Sequence, residues 1–350
     1  MSNELEVPDL PDGVQSVSIK EQKTFDGLPF PLILSPSDDF KGKDSQFWNA
    51  WVKRNLKVIE SLLLKYGAIL FRGFPFDNEN DFDEFSKAYA YSPFLDVGGT
   101  GVRNNVAGNV YTSNDTLPEF KIPFHHEMAH LSDYPLIVFF YCDIPAKEGG
   151  NTPLALSNVV YRKMIERDPE FVNRLEKEGL RYLRVASDGN NPNVSYGRSW
   201  QSTFFTNSKE EAEITAKNTG YDFEWLEDGG MKTITEVLPA IRVDKRTGKT
   251  MWFNSVFAYI LISEYTGDYR NIGVFFPNGD CIGDESVDTL KQVMEEVKVS
   301  FKWQRRDVVL VDNRSVQHSK EAFSAPPRRL LVSQFKDYQG PVWKESRVGV

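Results

Sequence analysis

The chain has four histidines in 350 residues, and three of them fall inside Phe124-His125-His126-Glu127-Met128-Ala129-His130. The fourth is His318. Such clustering beside a glutamate suggests metal ligation, and two readings compete for the same letters. In the first, His126-Glu127-x-x-His130 is a helical zinc motif of the metallopeptidase kind: two imidazoles one turn apart hold the metal and the glutamate acts as base. That reading needs a helix over 126–130, where Pro123 and Pro135 leave little room, and a remote third ligand such as Glu148. In the second, His125-x-Glu127 lies on extended chain, so both side chains point to one side and His126 to the other. With His318 as the distant partner they form a 2-His-1-carboxylate triad. Such a triad holds Fe(II) on one face and leaves three positions for a cosubstrate and O₂.

The surroundings of His318 favour the second reading. Eleven residues on stands Arg329, at the head of the apolar strand Leu330-Leu331-Val332. A planar guanidinium suits the free carboxylate of a bound keto acid. The zinc reading gives neither His318 nor Arg329 a role. Arg328, beside it, reads as a strand-edge surface charge. Residues 92–123 are rich in Gly and Asn, lack periodicity and run directly into His125, so they are expected to form an active-site loop. In it, Arg103 and Lys121 are the candidates for gripping a substrate carboxylate. Asn254, after Trp252-Phe253, is a candidate pocket residue.

These residues need a scaffold. Trp48, Trp51, Val52, Leu56, Ile59 and Leu63 recur at helical spacing and predict a helix over 47–66, ended by Gly67. Further helices are expected over 81–91, 158–165, 169–177, 209–218 and 284–297. Strands are expected at 16–20, 32–35, 68–71, 136–141, 181–186, 221–226, 240–243, 251–254, 308–312 and 330–335, with His318 just past the end of the 308–312 strand. Strands interrupted by helices suit a mainly β sandwich or barrel with α insertions, not a βαβ wheel. No repeat or linker divides the chain, so residues 1–350 read as a single domain with an N-terminal extension over 1–30.

Composition narrows the function classes. The net charge of −9 disfavours nucleic acid as a partner. No apolar run approaches the roughly 20 residues of a membrane span, and the first residues show no signal peptide. Two cysteines exclude a disulfide framework, so a reducing, cytoplasmic setting is expected.

The motif around His125 and Glu127, with Asp312-Asn313 before His318 and Arg328-Arg329 after it, resembles the Fe(II)/2-oxoglutarate-dependent oxygenases of the TauD/TfdA superfamily. The likeness is to the clavaminate synthase-like branch, where Glu replaces Asp as the carboxylate ligand. Gly67-Ala68-Ile69-Leu70-Phe71-Arg72-Gly73-Phe74 and Gly149-Gly150-Asn151-Thr152-Pro153 are similar to two further motifs of that superfamily. The resemblance implies a distorted double-stranded β-helix (jelly roll) flanked by helices. It implies Fe(II) on His125, Glu127 and His318, and 2-oxoglutarate on Arg329 with help from Thr152. The implied reaction is O₂-dependent oxidation of a C–H bond of a small, amino-acid-derived metabolite by hydroxylation, desaturation or cyclisation. The presence of Glu127 disfavours halogenation. Ser333 stands where many members carry a further Arg, which disfavours a taurine-like anionic substrate. A catalytically silent, ligand-binding member of the fold is the remaining alternative.

Overall fold

The computed structural model describes residues 9–113, 117–191, 193–194, 196–324 and 327–338. The first eight residues of the expected N-terminal extension and residues 114–116 of the expected loop therefore lie outside the described residues.

Two sheets carry the site. The larger runs in the order Val14–Ser16, Leu32–Pro36, Ala68–Phe71, Val308–Asp312, Ile137–Ile144, Arg329–Tyr338, Val110–Thr112, Asn105–Ala107, with Tyr91–Pro93 also paired to Arg329–Tyr338. Its pairings are antiparallel except for Leu32–Pro36 beside Ala68–Phe71. The central strands are buried on both faces, which explains runs such as Ile137–Cys142 in which every residue is apolar and buried. The smaller sheet has three strands, Leu154–Leu156, Val316–Lys320 and Ile122–His125. His318 thus sits in the middle of a strand of its own, not past the end of Val308–Asp312. Between those two strands the chain turns through Asn313-Arg314-Ser315 and changes sheets.

The 22-residue helix Ser45–Tyr66 covers the outer face of the larger sheet. Asp44 caps it by accepting from the Phe47 amide, and its apolar stripe of Trp48, Trp51, Val52, Ile59, Leu62 and Leu63 packs with Ile69, Phe71 and Leu310. Gly67 closes it at φ 78°. A Cβ there would stand 2.7 Å from Val316 Cγ2, on the strand that carries His318.

Some elements depart from expectation. Val256–Thr266 is a helix that periodicity does not reveal, because it is apolar almost all round and buried between the Ile122–His125 strand and the strand Ile272–Phe275. Residues 92–123 are not wholly irregular: Asn105–Ala107 and Val110–Thr112 form a hairpin in the larger sheet. Within the expected extension, Val14–Ser16 is the edge strand of that sheet, and Lys23–Phe25 pairs with Leu28–Phe30.

Candidate metal centre

The smaller sheet brings two imidazoles together by register: His125 and His318 are directly paired across antiparallel strands, with ring centroids 4.5 Å apart. Glu127 follows two residues after His125, beyond the strand end, where Met128 adopts φ 56°. The side chains of His125, Glu127 and His318 each offer one ligand atom, and these atoms lie within 4.8 Å of one another. Among the described residues this is the one group of acidic, histidine or cysteine side chains placed to hold a metal.

Two of the three ligands, His125 and Glu127, are oriented from behind. His125 Nδ1 donates to the Pro123 carbonyl at 2.8 Å, which leaves Nε2 unprotonated and facing inward. Asn313 fixes Glu127 through the backbone: its Oδ1 accepts from the Glu127 amide at 2.7 Å, and its Nδ2 donates to the carbonyls of Glu127 and Pro135 at 3.0 and 2.7 Å. Asn313 is itself seated in a buried ion cluster in which Asp312 meets Arg246 at 2.7 Å and Arg314 at 3.0 Å. Burial lowers His125 to about 4, with the neighbouring His318 adding to the effect, so the imidazole is neutral, as a metal ligand must be. Burial alone would raise the Glu127 carboxyl, but Arg103 foremost, then His318 and His125, hold it well below the usual range. Two imidazoles and one carboxylate in this cluster fit a divalent first-row metal such as Fe(II).

The zinc-peptidase geometry is absent. Residues 126–130 form a turn, not a helix. His126 is fully buried and faces away, with Nδ1 on the Asn313 carbonyl and Nε2 against Ser157 Oγ and the Trp252 carbonyl. His130 Nε2 meets the Gly98 carbonyl at 3.3 Å, and Glu148 is exposed.

One cavity runs past the triad. Its lining includes Thr152, Lys320, Arg328 and Leu330, and also Asp96, Thr100, Arg103, Tyr196, Ser255 and Tyr259. Arg329 is not on its wall, and this corrects the expectation from sequence. Along the last strand, Leu330 and Val332 face the inner core whereas Leu331 and Phe335 face the outer one. Arg328 shares the inner parity and Arg329 the outer, where Arg329 pairs with Asp143 at 2.7 Å and Glu79 at 3.4 Å. Arg328 lies across Gly150, whose carbonyl accepts from Nε at 2.7 Å. A Cβ at Gly150, which has φ +65°, would stand 2.8 Å from Arg328 Cδ. Burial pushes the Arg328 guanidinium down to about 10, and no carboxylate pairs with it among the described residues. Thr152 Oγ1 accepts from Trp303 Nε1 at 3.1 Å, so its own hydroxyl proton is left to donate into the cavity.

The other expected substrate residues divide. Arg103 lines the cavity but is paired with Glu127 at 3.0 Å. Lys121 is exposed and off the cavity wall. Asn254 is buried and structural: Nδ2 donates to the Ala240 carbonyl, and Oδ1 accepts from the Val256 amide at the start of the apolar helix. Sequence reasoning missed Lys320, two positions beyond His318 on the same strand face, and that alternation was the signal that could have found it.

Residues 34–334 match the family described as taurine catabolism dioxygenase TauD, TfdA family. The chain belongs to that family of Fe(II)/2-oxoglutarate-dependent oxygenases, which use Fe(II), 2-oxoglutarate and O₂. It is 41% identical over 326 residues to a clavaminate synthase-like protein of Arabidopsis thaliana, covering 91% of this chain and 97% of that protein. It is 29% identical over 276 residues to the dapdiamide synthesis protein DdaC of Enterobacter agglomerans, covering 76% and 81%. Among solved structures, PvcB of Pseudomonas aeruginosa is 14% identical, with a TM-score of 0.47 over 87% of this chain and 84% of that one.

Proposed function

We propose that the chain is a single-domain oxygenase on a distorted jelly-roll scaffold. It couples oxidative decarboxylation of 2-oxoglutarate, with release of succinate and CO₂, to oxidation of a C–H bond in a small metabolite. The observation that carries this reading is one cavity whose wall holds a 2-His-1-carboxylate cluster and the half-buried guanidinium of Arg328, which pairs with no carboxylate among the described residues. Fe(II), when bound, supplies the O₂ chemistry that these side chains lack. His125 and His318 hold it through ring nitrogens set by strand register, and Glu127 through a carboxylate set by Asn313. Arg328 receives the distal carboxylate of 2-oxoglutarate, Thr152 donates its hydroxyl to the same group, and Lys320 adds a second positive charge on that wall. Phe140 and Leu330 keep this part of the cavity dry, which strengthens those contacts.

The substrate then occupies the part of the cavity lined by Thr100, Tyr196, Ser255, Tyr259 and Ile262. This mixture of hydroxyls and aromatic rings suits a small polar or amino-acid-derived molecule. The relative DdaC is a dapdiamide synthesis protein, which supports a small-metabolite substrate. The free thiols Cys142 and Cys281 support a cytoplasmic setting.

The test of the cosubstrate site is a pair of neighbours. Arg328→Met removes a charge-assisted contact worth about 1.5–3 kcal/mol, so the apparent KM for 2-oxoglutarate should rise roughly 10- to 150-fold. Arg329→Met should leave it unchanged. The reverse result would overturn the placement. Succinate formation under Fe(II), ascorbate and air, stimulated by some member of a small-metabolite panel, is expected. Its absence, including uncoupled turnover, would favour a silent ligand-binding protein.

A further inference from the structure

Arg103 was expected to face substrate, but its guanidinium is turned to the metal cluster. Arg103 Nη2 donates to Glu127 Oε1 at 3.0 Å, while Glu127 Oε2 is the oxygen beside His318, 3.5 Å from Nε2. The two oxygens of one carboxylate therefore have different neighbours: a cation on one side and the converging ligand atoms on the other. Arg103 is itself braced. Its Nε lies 3.9 Å from Asp96 Oδ2, and the same oxygen takes Arg198 Nη1 at 3.2 Å. Arg198 also donates to the Asp96 backbone carbonyl at 2.9 Å. Behind these, the buried Arg184 bridges the carbonyls of Gly99, Tyr196 and Arg198.

We propose that Arg103 is a positioning residue of the metal centre: it holds one oxygen of Glu127 so that only the other meets the ion, with Asp96 and Arg198 bracing it. This rests on the reading that His125, Glu127 and His318 hold the metal. A carboxylate free to rotate can ligate through both oxygens, and the second would occupy a position that cosubstrate or O₂ requires. A planar guanidinium fork suppresses that rotation better than a flexible ammonium. The alternative, Arg103 swinging away to bind a substrate carboxylate, would leave Glu127 Oε1 without its partner in a side chain only 9% exposed, which is costly. The bracing also ties residues 96–103 and 196–205, from two distant parts of the chain, to the carboxylate that binds metal.

The probe is Co(II), titrated without oxygen into the full-length protein, because its visible spectrum reports coordination geometry. His318→Ala should lose the site-bound spectrum; retention of wild-type binding there would remove the triad reading and this proposal with it. Given that control, Arg103→Met should bind Co(II) about 10- to 100-fold more weakly, the range for residues that orient metal ligands, and its absorption band should shift. Arg103→Lys should recover part of both. If Arg103→Met does not accumulate folded, Arg103→Gln serves, with the same expectation. Wild-type affinity and an unshifted band in the Arg103 variant, beside an impaired His318→Ala, would overturn the positioning role and leave the triad intact.

Discussion

The two walls of the cavity are built by different physics. On the sheet side, His125 and His318 are set by antiparallel pairing, and Glu127 by two backbone hydrogen bonds to one asparagine. Backbone register leaves little freedom there, as a metal site needs when a small displacement loses a ligand. On the opposite side, residues 96–103 and 196–205 are mostly irregular chain, held by Asp96, Arg184 and Arg198. Ion pairs and carbonyl contacts hold loops without dictating one register, which suits a wall that must admit a substrate. Arg103 is where the two walls meet.

Substitutions should separate them. The largest effect belongs to Glu127→Ala, which removes a ligand and should reduce metal-dependent succinate formation by more than the about 100-fold reached by second-layer changes. Near wild-type turnover would break the comparison at its root. Asn313→Ala comes next. It leaves the Glu127 amide and two carbonyls without their partner, so a loss of about 1–3 kcal/mol or more is expected in denaturant melts, with metal affinity about 10- to 100-fold weaker. Arg198→Gln acts on the loop wall, loosening Asp96 and the Phe205 ring but leaving Arg103 on Glu127, so metal affinity should fall by less than about tenfold in the same titration. A loss as large as that of Asn313→Ala would mean that Arg198 orients the metal ligand as strongly as the asparagine that holds it directly. Lys121→Ala is the smallest: the side chain is exposed and off the cavity, so stability should stay within about 0.5 kcal/mol and turnover should not change.

The legible part of this protein was local. The helices over 209–218 and 284–297 and the strands 181–186 and 308–312 carry clear periodicity or apolar runs, and their bounds agree with the structure. The apolar helix Val256–Thr266 was hidden because a helix buried all round has no polar face to mark its period. The Arg328/Arg329 choice was hidden for a related reason. Leu330, Leu331 and Val332 are all apolar, so nothing in the letters says which parity faces the cavity.

The scarcity of histidine, the His-x-Glu spacing and the guanidinium after His318 determined the kind of chemistry, because few residue types ligate metals or receive carboxylates and these few are clustered. Which of two adjacent arginines points inward, and that Arg103 faces Glu127, were decided only by tertiary structure. Strand parity and loop packing are set by what lies across the sheet, often two hundred residues away, and one-dimensional spacing carries no record of it.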